Sequence, residues 1–512
     1  MTRTRSSRTT RRTQPDSPLA NKPFRRLQNP YAPIEILSPT QIEQIHNASM
    51  HILENIGIEF LDDEAIRCWQ QAGAKVELKT GRVQIDRGLL LELVAKAPTQ
   101  FRLQARNPAH SLTFGGNHVN FATVGGAPYY ADLDKGRRPG TLADLQAMVR
   151  LAQVCTPIHL IIGQLVEPQD IPVDKRNLVR ELTVFELSDK AITVTANGRI
   201  AAQDSINMTA IVFGGLEAIQ QQPVVISNIN VNSPLRFDDR MLGALMVYAQ
   251  HGQPCIITPF VLAGAMGPIT LAGAIAQQNA EALAGIALTQ LVNPGVPVIY
   301  GGFTTNIEMQ SGSPAFGTPE GAQALLAGAQ LARHYRLPYR GSGGLNTAKT
   351  PDAQAAFETQ MTLWPAVMAH ANLILHSAGW LESGLVCSLE KFMLDMEGLA
   401  MMHDFLSIIE VNEETLALDS IAAVGPGGHH LGTAHTMARF RNGFYRPMIA
   451  DRLNYEAWQE VGSQDAARHA NRVAKQLLKQ YEQPALETAV SEELHAYVQR
   501  RKSEIVNRKS TI

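Results

Sequence analysis

From about residue 116 the chain repeats one pattern: a short apolar, often β-branched run, a loop rich in Gly, Pro and Asn, then a longer Ala- and Leu-rich stretch with helical spacing. Eight such runs stand out: HVNFAT (118–123), IHLIIGQL (158–165), AITVTA (191–196), VVISNI (224–229), PCIITP (254–259), VPVIYG (296–301), LPYRGS (337–342) and ANLILHS (371–377). Runs that are apolar throughout belong to strands covered on both faces, and their alternation with helices implies a parallel sheet. The pattern predicts an α/β fold, a (β/α)8 TIM barrel over 116–405, with an open doubly wound sheet as the competing arrangement. Periodicity does not say whether the last run pairs with the first.

Before the repeat, Ser38-Pro39 opens a segment whose Ile42, Ile45, Ala48, Ile52, Leu53 and Ile56 recur at helical spacing and which stops at Gly57. A second helix is expected over 63–72, stopping at Gly73, and short strand-like runs fill 74–114. Residues 31–115 therefore read as an N-terminal α+β segment packed on the barrel. Beyond it, 406–512 reads as a Gly/His-rich loop followed by a C-terminal helical extension with breaks at Gly462 and Pro484. Leu477, Leu478, Tyr481, Leu486, Val490 and Leu494 supply that extension's packing face. Residues 1–30 are Arg/Ser/Thr-rich and poor in apolar side chains, and are expected to be a disordered basic tail. The tail lacks the amphipathic face of an organelle transit peptide.

Composition narrows the class. With 45% hydrophobic and 18% charged residues, the 512-residue chain has the makeup of a well-packed soluble enzyme. No run reaches the roughly 18 apolar residues of a membrane span. The four cysteines form no C-x-x-C pair, which argues against a disulfide framework or Cys-based zinc site and suits the cytoplasm. The net charge of −2 hides a basic start, and the remainder is mildly acidic with no nucleic-acid footprint.

Active sites of such barrels lie where the strands end, so the residues closing each run are the first candidates. Run 4 exits through Asn228 and Asn230, run 5 through Phe260, run 6 through Tyr300 and Phe303, run 7 through Arg340, Gly343 and Gly344, and run 8 through His376. The glycines let a ligand approach backbone N–H groups. His376, the one ionisable side chain closing run 8, is the candidate catalytic-site residue. GPGGHHLGTAHT adds Gly427, Gly428, His429, His430 and His435, but without an H-E-x-x-H pattern it suits a loop over a ligand or partner better than a metal site.

Several stretches carry a resemblance: SMHILENIGIEF (49–60), ARNP (105–108), GSGGLNTAKTPDAQAAFET (341–359), HSAGWLESGLVCSLEKFMLDME (376–397), GPGGHHLGTAHTMARFR (425–441) and ADRLNYEAWQEVGSQD (450–465). In this order they resemble the signature stretches of the trimethylamine methyltransferase family. The resemblance implies a barrel that binds no metal and no cofactor of its own, and hands a methyl group to the cobalamin of a separate corrinoid protein. A homo-oligomer is compatible with it. The family's founding members carry pyrrolysine; its position aligns with the loop near Leu345 to Lys349, which holds ordinary residues here.

That departure directs the substrate. A cob(I)alamin nucleophile displacing methyl from a quaternary ammonium expels a neutral tertiary amine, whereas an unprotonated tertiary amine would have to leave as an amide anion. Pyrrolysine-free relatives include glycine betaine methyltransferases, so a quaternary amine, glycine betaine first, is expected. The methylammonium head is expected against Phe260, Tyr300, Phe303 and Phe316, the carboxylate on His376, and the corrinoid protein on the rim with the 425–435 loop in contact. Competing classes are a TIM-barrel lyase or hydrolase acting on a small carboxylate and a non-catalytic betaine-binding paralogue.

Overall fold

The computed structural model describes residues 23–510. All eight runs are parallel strands: β1 (His118–Phe121), β2 (Leu160–Ile162), β3 (Ala191–Val194), β4 (Ile226–Val231), β5 (Cys255–Ala263), β6 (Val298–Gly301), β7 (Tyr339–Ser342) and β8 (Leu373–Leu375). β8 pairs with β1 through Leu373 opposite Asn120 and Ile374 opposite Phe121. The last seam is an Ala122–Leu160 bridge between β1 and β2, where Thr123 N donates to Leu160 O at 3.1 Å and His159 N to Phe121 O at 2.9 Å. The sheet is therefore a closed barrel, which excludes the open alternative.

Helices follow the strands as α1 (Leu142–Val154), α2 (Val173–Leu187), α3 (Arg199–Phe213), α4 (Asp239–Gln250), α5 (Leu271–Val292), α6 (Pro319–His334), α7 (Ala353–Met368) and α8 (Leu389–Phe405). Most start at a side-chain cap: Thr141, Asp238, Thr318, Asp352 and Ser388 each accept a backbone N–H of the first turn. α5 is buried on nearly every face because the N-terminal segment covers its outer side.

The barrel interior is filled by Leu160, Ala191, Ile226, Ile256, Ile299 and Leu373, a dry core rather than a pore. Beneath that layer the hairpin Phe101–Leu103 and Leu112–Phe114 packs Phe101 and Phe114 with rings 5.2 Å apart and closes the strand-start end. One end of the barrel is thus plugged, and a ligand must use the other.

The expected N-terminal helix is Pro39–His51, extended by a π turn to Ile56 and stopped at Gly57 with φ +82°. The extension forms α9 (Ala466–Lys479) and α10 (Thr488–Ser510), with breaks where Gly462 and Pro484 stand and with Leu477 and Leu494 fully buried. The expected basic tail lies outside the described residues up to residue 22, and its end needs correcting. Phe24 packs on His159, Leu27 pairs with Val119 of β1, and Asn29 is buried. Apolar Phe24 and Leu27 were enough to seat this segment on the barrel, although the residues before it are all but devoid of such anchors.

Candidate active site at the strand ends

Above the Ile162 and Leu375 layer a cavity of about 440 Å³ opens at the ends of the strands. Six of the expected residues line it: Asn228, Asn230, Phe260, Phe303, Arg340 and His376. β4 presents both asparagines on its inner face, where Asn228 Nδ2 donates to Asn230 Oδ1 at 2.7 Å and Thr258 Oγ1 donates to Asn228 Oδ1 at 2.8 Å. Phe260 and Phe303 meet at 4.9 Å between ring centroids.

Arg340 is the charged group of this wall. It is 1% exposed and its Cζ lies 4.9 Å over the Phe303 ring. One guanidinium N–H donates to Gly302 O at 3.1 Å, while Nε has no protein partner. Burial pulls its pKa down to about 9, so it stays protonated at neutral pH. No Asp or Glu is among the lining residues. A buried cation without a carboxylate beside it is costly unless a ligand supplies the anion.

His376 sits at φ +58°, a left-handed backbone rare for a residue with a Cβ. Its ring stacks on Trp380 at 3.8 Å and 11°, and its buried Nδ1 has no protein partner. Burial, and then the charge of Arg340, hold the imidazole well below its ordinary pKa. It is therefore neutral. A neutral imidazole still has one N–H to donate to a carboxylate, the contact expected from sequence, but the positively charged donor in this wall is Arg340.

Four other expectations move. Tyr300 points out of the barrel, fully buried, with its hydroxyl donating to Asn279 Oδ1 of α5 at 3.0 Å. Neighbouring Ile299 faces inward, so the two-residue period of the strand sends Tyr300 to the helix layer. Phe316 does not line the cavity but stacks behind it, 5.6 Å from Phe303 and 6.2 Å from Trp380. Gly343 N is taken by Leu375 O at 3.0 Å. Gly344, at φ +64°, passes so close behind the site that a Cβ there would lie 2.5 Å from His376 O. These glycines shape the backbone around His376 rather than line the ligand space.

The sequence reading missed Trp380, Thr193 and Gln164, which line the cavity. Trp380 stood in the HSAGW stretch four residues after His376, yet nothing in its spacing shows that the chain turns back to stack the two rings. Gly427, Gly428, His429, His430 and His435 do not line the cavity. Among the described residues no three His, Cys, Asp or Glu side chains converge as a metal-binding group, and no helix is long and apolar enough to cross a membrane.

Residues 2–506 match the family model described as trimethylamine methyltransferase. The chain belongs to the trimethylamine methyltransferase family. Within it the chain is 42% identical over 470 residues to a glycine betaine methyltransferase of Desulfitobacterium hafniense, covering 92% of this chain and 98% of that one. It is 30% identical over 468 residues, 91% and 94% of the two chains, to a trimethylamine methyltransferase of the same species. The solved monomethylamine methyltransferase of Methanosarcina barkeri shares the fold at a TM-score of 0.50 and 8% identity, over 88% of this chain and 90% of that one. The chain is thus an amine methyltransferase by family, and a TIM-type barrel. The loop where the family's founding members are expected to carry pyrrolysine folds here with Leu345 and Asn346 buried, and it contributes no side chain to the cavity lining.

Proposed function

We propose that the cavity binds a betaine, with glycine betaine first, and that the methyl group passes to a corrinoid carried by a separate protein. The observation that carries this reading is the buried, protonated Arg340 in a wall without carboxylates, facing the aromatic rings of Phe260, Phe303 and Trp380. A betaine is a zwitterion: its carboxylate matches Arg340 and its methylammonium head matches the ring faces. Trimethylamine brings no anion, and its protonated form would meet the Arg340 charge uncompensated. A charge-assisted hydrogen bond contributes roughly 1.5–3 kcal/mol and each cation–π face about 0.5–2 kcal/mol, so the two ends together support ordinary enzyme affinities. The 42% identity to a glycine betaine methyltransferase over nearly all of that chain supports the same choice.

The chamber has the volume of a small-molecule pocket. Its residues suit the amine and not a corrin ring, so the acceptor must reach the methyl group from the mouth. Bound to its carrier protein, cob(I)alamin supplies the nucleophilic electron pair. The residues of this chain hold the donor by its carboxylate, turn a methyl group outward and keep water from the ammonium with aromatic walls. As the C–N bond breaks, its electron pair stays on nitrogen and a neutral tertiary amine leaves, so no proton has to be delivered. A neutral His376 fits that requirement: it backs the aromatic wall through Trp380 and is not a general acid.

Calorimetry with glycine betaine and with trimethylamine, paired with methyl transfer to free cob(I)alamin followed by its absorbance, tests the proposal. Betaine should bind and be demethylated while trimethylamine does neither. Equal use of both amines, or betaine binding without any transfer, would overturn it.

A further inference from the structure

Beyond α8 the chain forms an arm that its own copy does not cover. α8 runs back to the plugged end of the barrel: His403 Nε2 meets Pro157 O at 3.2 Å just ahead of β2, Tyr31 donates to Phe405 O at 2.9 Å, and Arg25 to Ser407 Oγ at 2.9 Å. From there the arm departs, and it returns at Tyr445–Ile449, where Met448 N and Ile449 N donate to Glu397 Oε2 at 2.7 and 2.8 Å. No residue between Ser407 and Pro447 is buried. The arm holds three short helices, Glu413–Leu416, Leu418–Val424 and Ala434–Arg439. Its hydrogen bonds join it to itself, as Ser420 with His430 and Arg439 with Glu414. Yet its apolar side chains stand in solvent: Ile409 is 82% exposed, Leu431 78% and Phe444 87%.

Helices shorter than about 12 residues are marginal in water unless an apolar face is packed. This arm therefore needs a cover. The chain also carries a groove whose rim exposes apolar side chains. This groove, of about 570 Å³, lies between α7 and α8 beside the start of α9, lined by apolar Ala356, Leu363 and Leu394 together with polar Gln360, Lys391 and Asp395. Its lip continues onto exposed Phe357, Met361 and Trp364 of α7 and Met401 and Phe405 of α8, with Trp364 edge-on to Phe405 at 4.7 Å. The groove's lip thus ends two residues before the arm begins.

We propose that the arm of one copy lies in the α7–α8 groove of a second copy, and that copy's arm in the groove of the first. Such an exchange is self-complementary, as a two-fold interface must be. The large apolar side chains that the arm exposes amount to on the order of 1,000 Å² per copy, above the roughly 800 Å² per partner of a standard interface. A methyl acceptor that shuttles cannot be this cover, because it leaves at every turnover and its business is at the open end of the barrel. That exclusion rests on the function proposed above; the exposure of the arm and the presence of the groove do not.

Sedimentation equilibrium of the full chain, without amine or corrinoid protein, tests it. A dimer should persist at about 1 µM, and Ile409→Glu combined with Phe444→Glu should weaken it by at least about 100-fold. Phe357→Glu with Met361→Glu on the groove side should do the same, and circular dichroism should show both variants folded. A photo-crosslinking residue in place of Leu431 should attach to α7 or α8 of an isotopically labelled second copy. A monomer at about 10 µM, a dimer indifferent to either variant pair, or crosslinks confined to one copy would overturn the proposal. So would a monomer whose arm crosslinks only to an added corrinoid protein.

Discussion

Arg340 is buried as a cation between Phe303 and the Gly302 carbonyl, and in the proposed function that arrangement sets what the site accepts. Arg340→Gln should raise the KM for betaine by about 10- to 100-fold, the loss of one charge-assisted bond, with a smaller change in kcat. Arg340→Lys keeps the charge but not the fork and should recover only part of the affinity. At His376 the expectation is different. Its imidazole is already neutral, so the pH profile of kcat should show no His376 step in the range where an ordinary histidine titrates. His376→Asn, which tolerates the left-handed backbone, should raise KM more than it lowers kcat; a collapse of kcat at constant KM would assign it chemistry instead. Among the aromatics, Trp380→Leu or Phe303→Leu should weaken betaine binding in calorimetry by several-fold, whereas Tyr300→Phe should leave it unchanged because that hydroxyl serves α5.

At the level of elements, α2 meets the exit of β3 through one buried acid. Glu181 Oε1 accepts from Thr195 N at 3.0 Å and from Ser205 Oγ at 2.7 Å, and burial raises its pKa to about 7 from 4.5. The folded state therefore favours the protonated carboxyl. Its contribution is complete below the ordinary value and is lost as pH rises through about 7, a difference of about 3 kcal/mol. Chemical denaturation at about pH 5 and about pH 8 should show that loss, and Glu181→Gln should flatten it. The elements themselves were legible. All eight barrel strands fall within the runs or overlap them, because fully buried parallel strands leave no polar alternation to blur them. The site was legible only in part, and VIYGGF shows why. Being near a strand's end is a property of position along the chain, but facing the cavity is a matter of phase, and one residue of phase separates Ile299 from Tyr300. Once Ile299 is inside, Phe303 can line the cavity and Tyr300 cannot. Trp380 was invisible for a different reason, since a loop that folds back on His376 follows no period.

As a whole the molecule separates its two ends. The hairpin 101–114 plugs the strand-start end with Phe101 and Phe114, and the strand-exit end holds the cavity. Phe114→Ala should cost about 3–5 kcal/mol and lower Tm, yet leave the KM for betaine unaltered, because the plug lies at the end opposite the cavity and Phe114 is not among its lining residues. With one end sealed, everything enters and leaves by the same mouth. Substrate and product then share a single door and a single handle. If glycine betaine is held by Arg340 as proposed, removing one methyl leaves its carboxylate intact, so the demethylated amine keeps the same handle while the next betaine waits for the same place. Accumulating product should therefore compete with substrate, and turnover in a closed vessel should slow well before the betaine is spent.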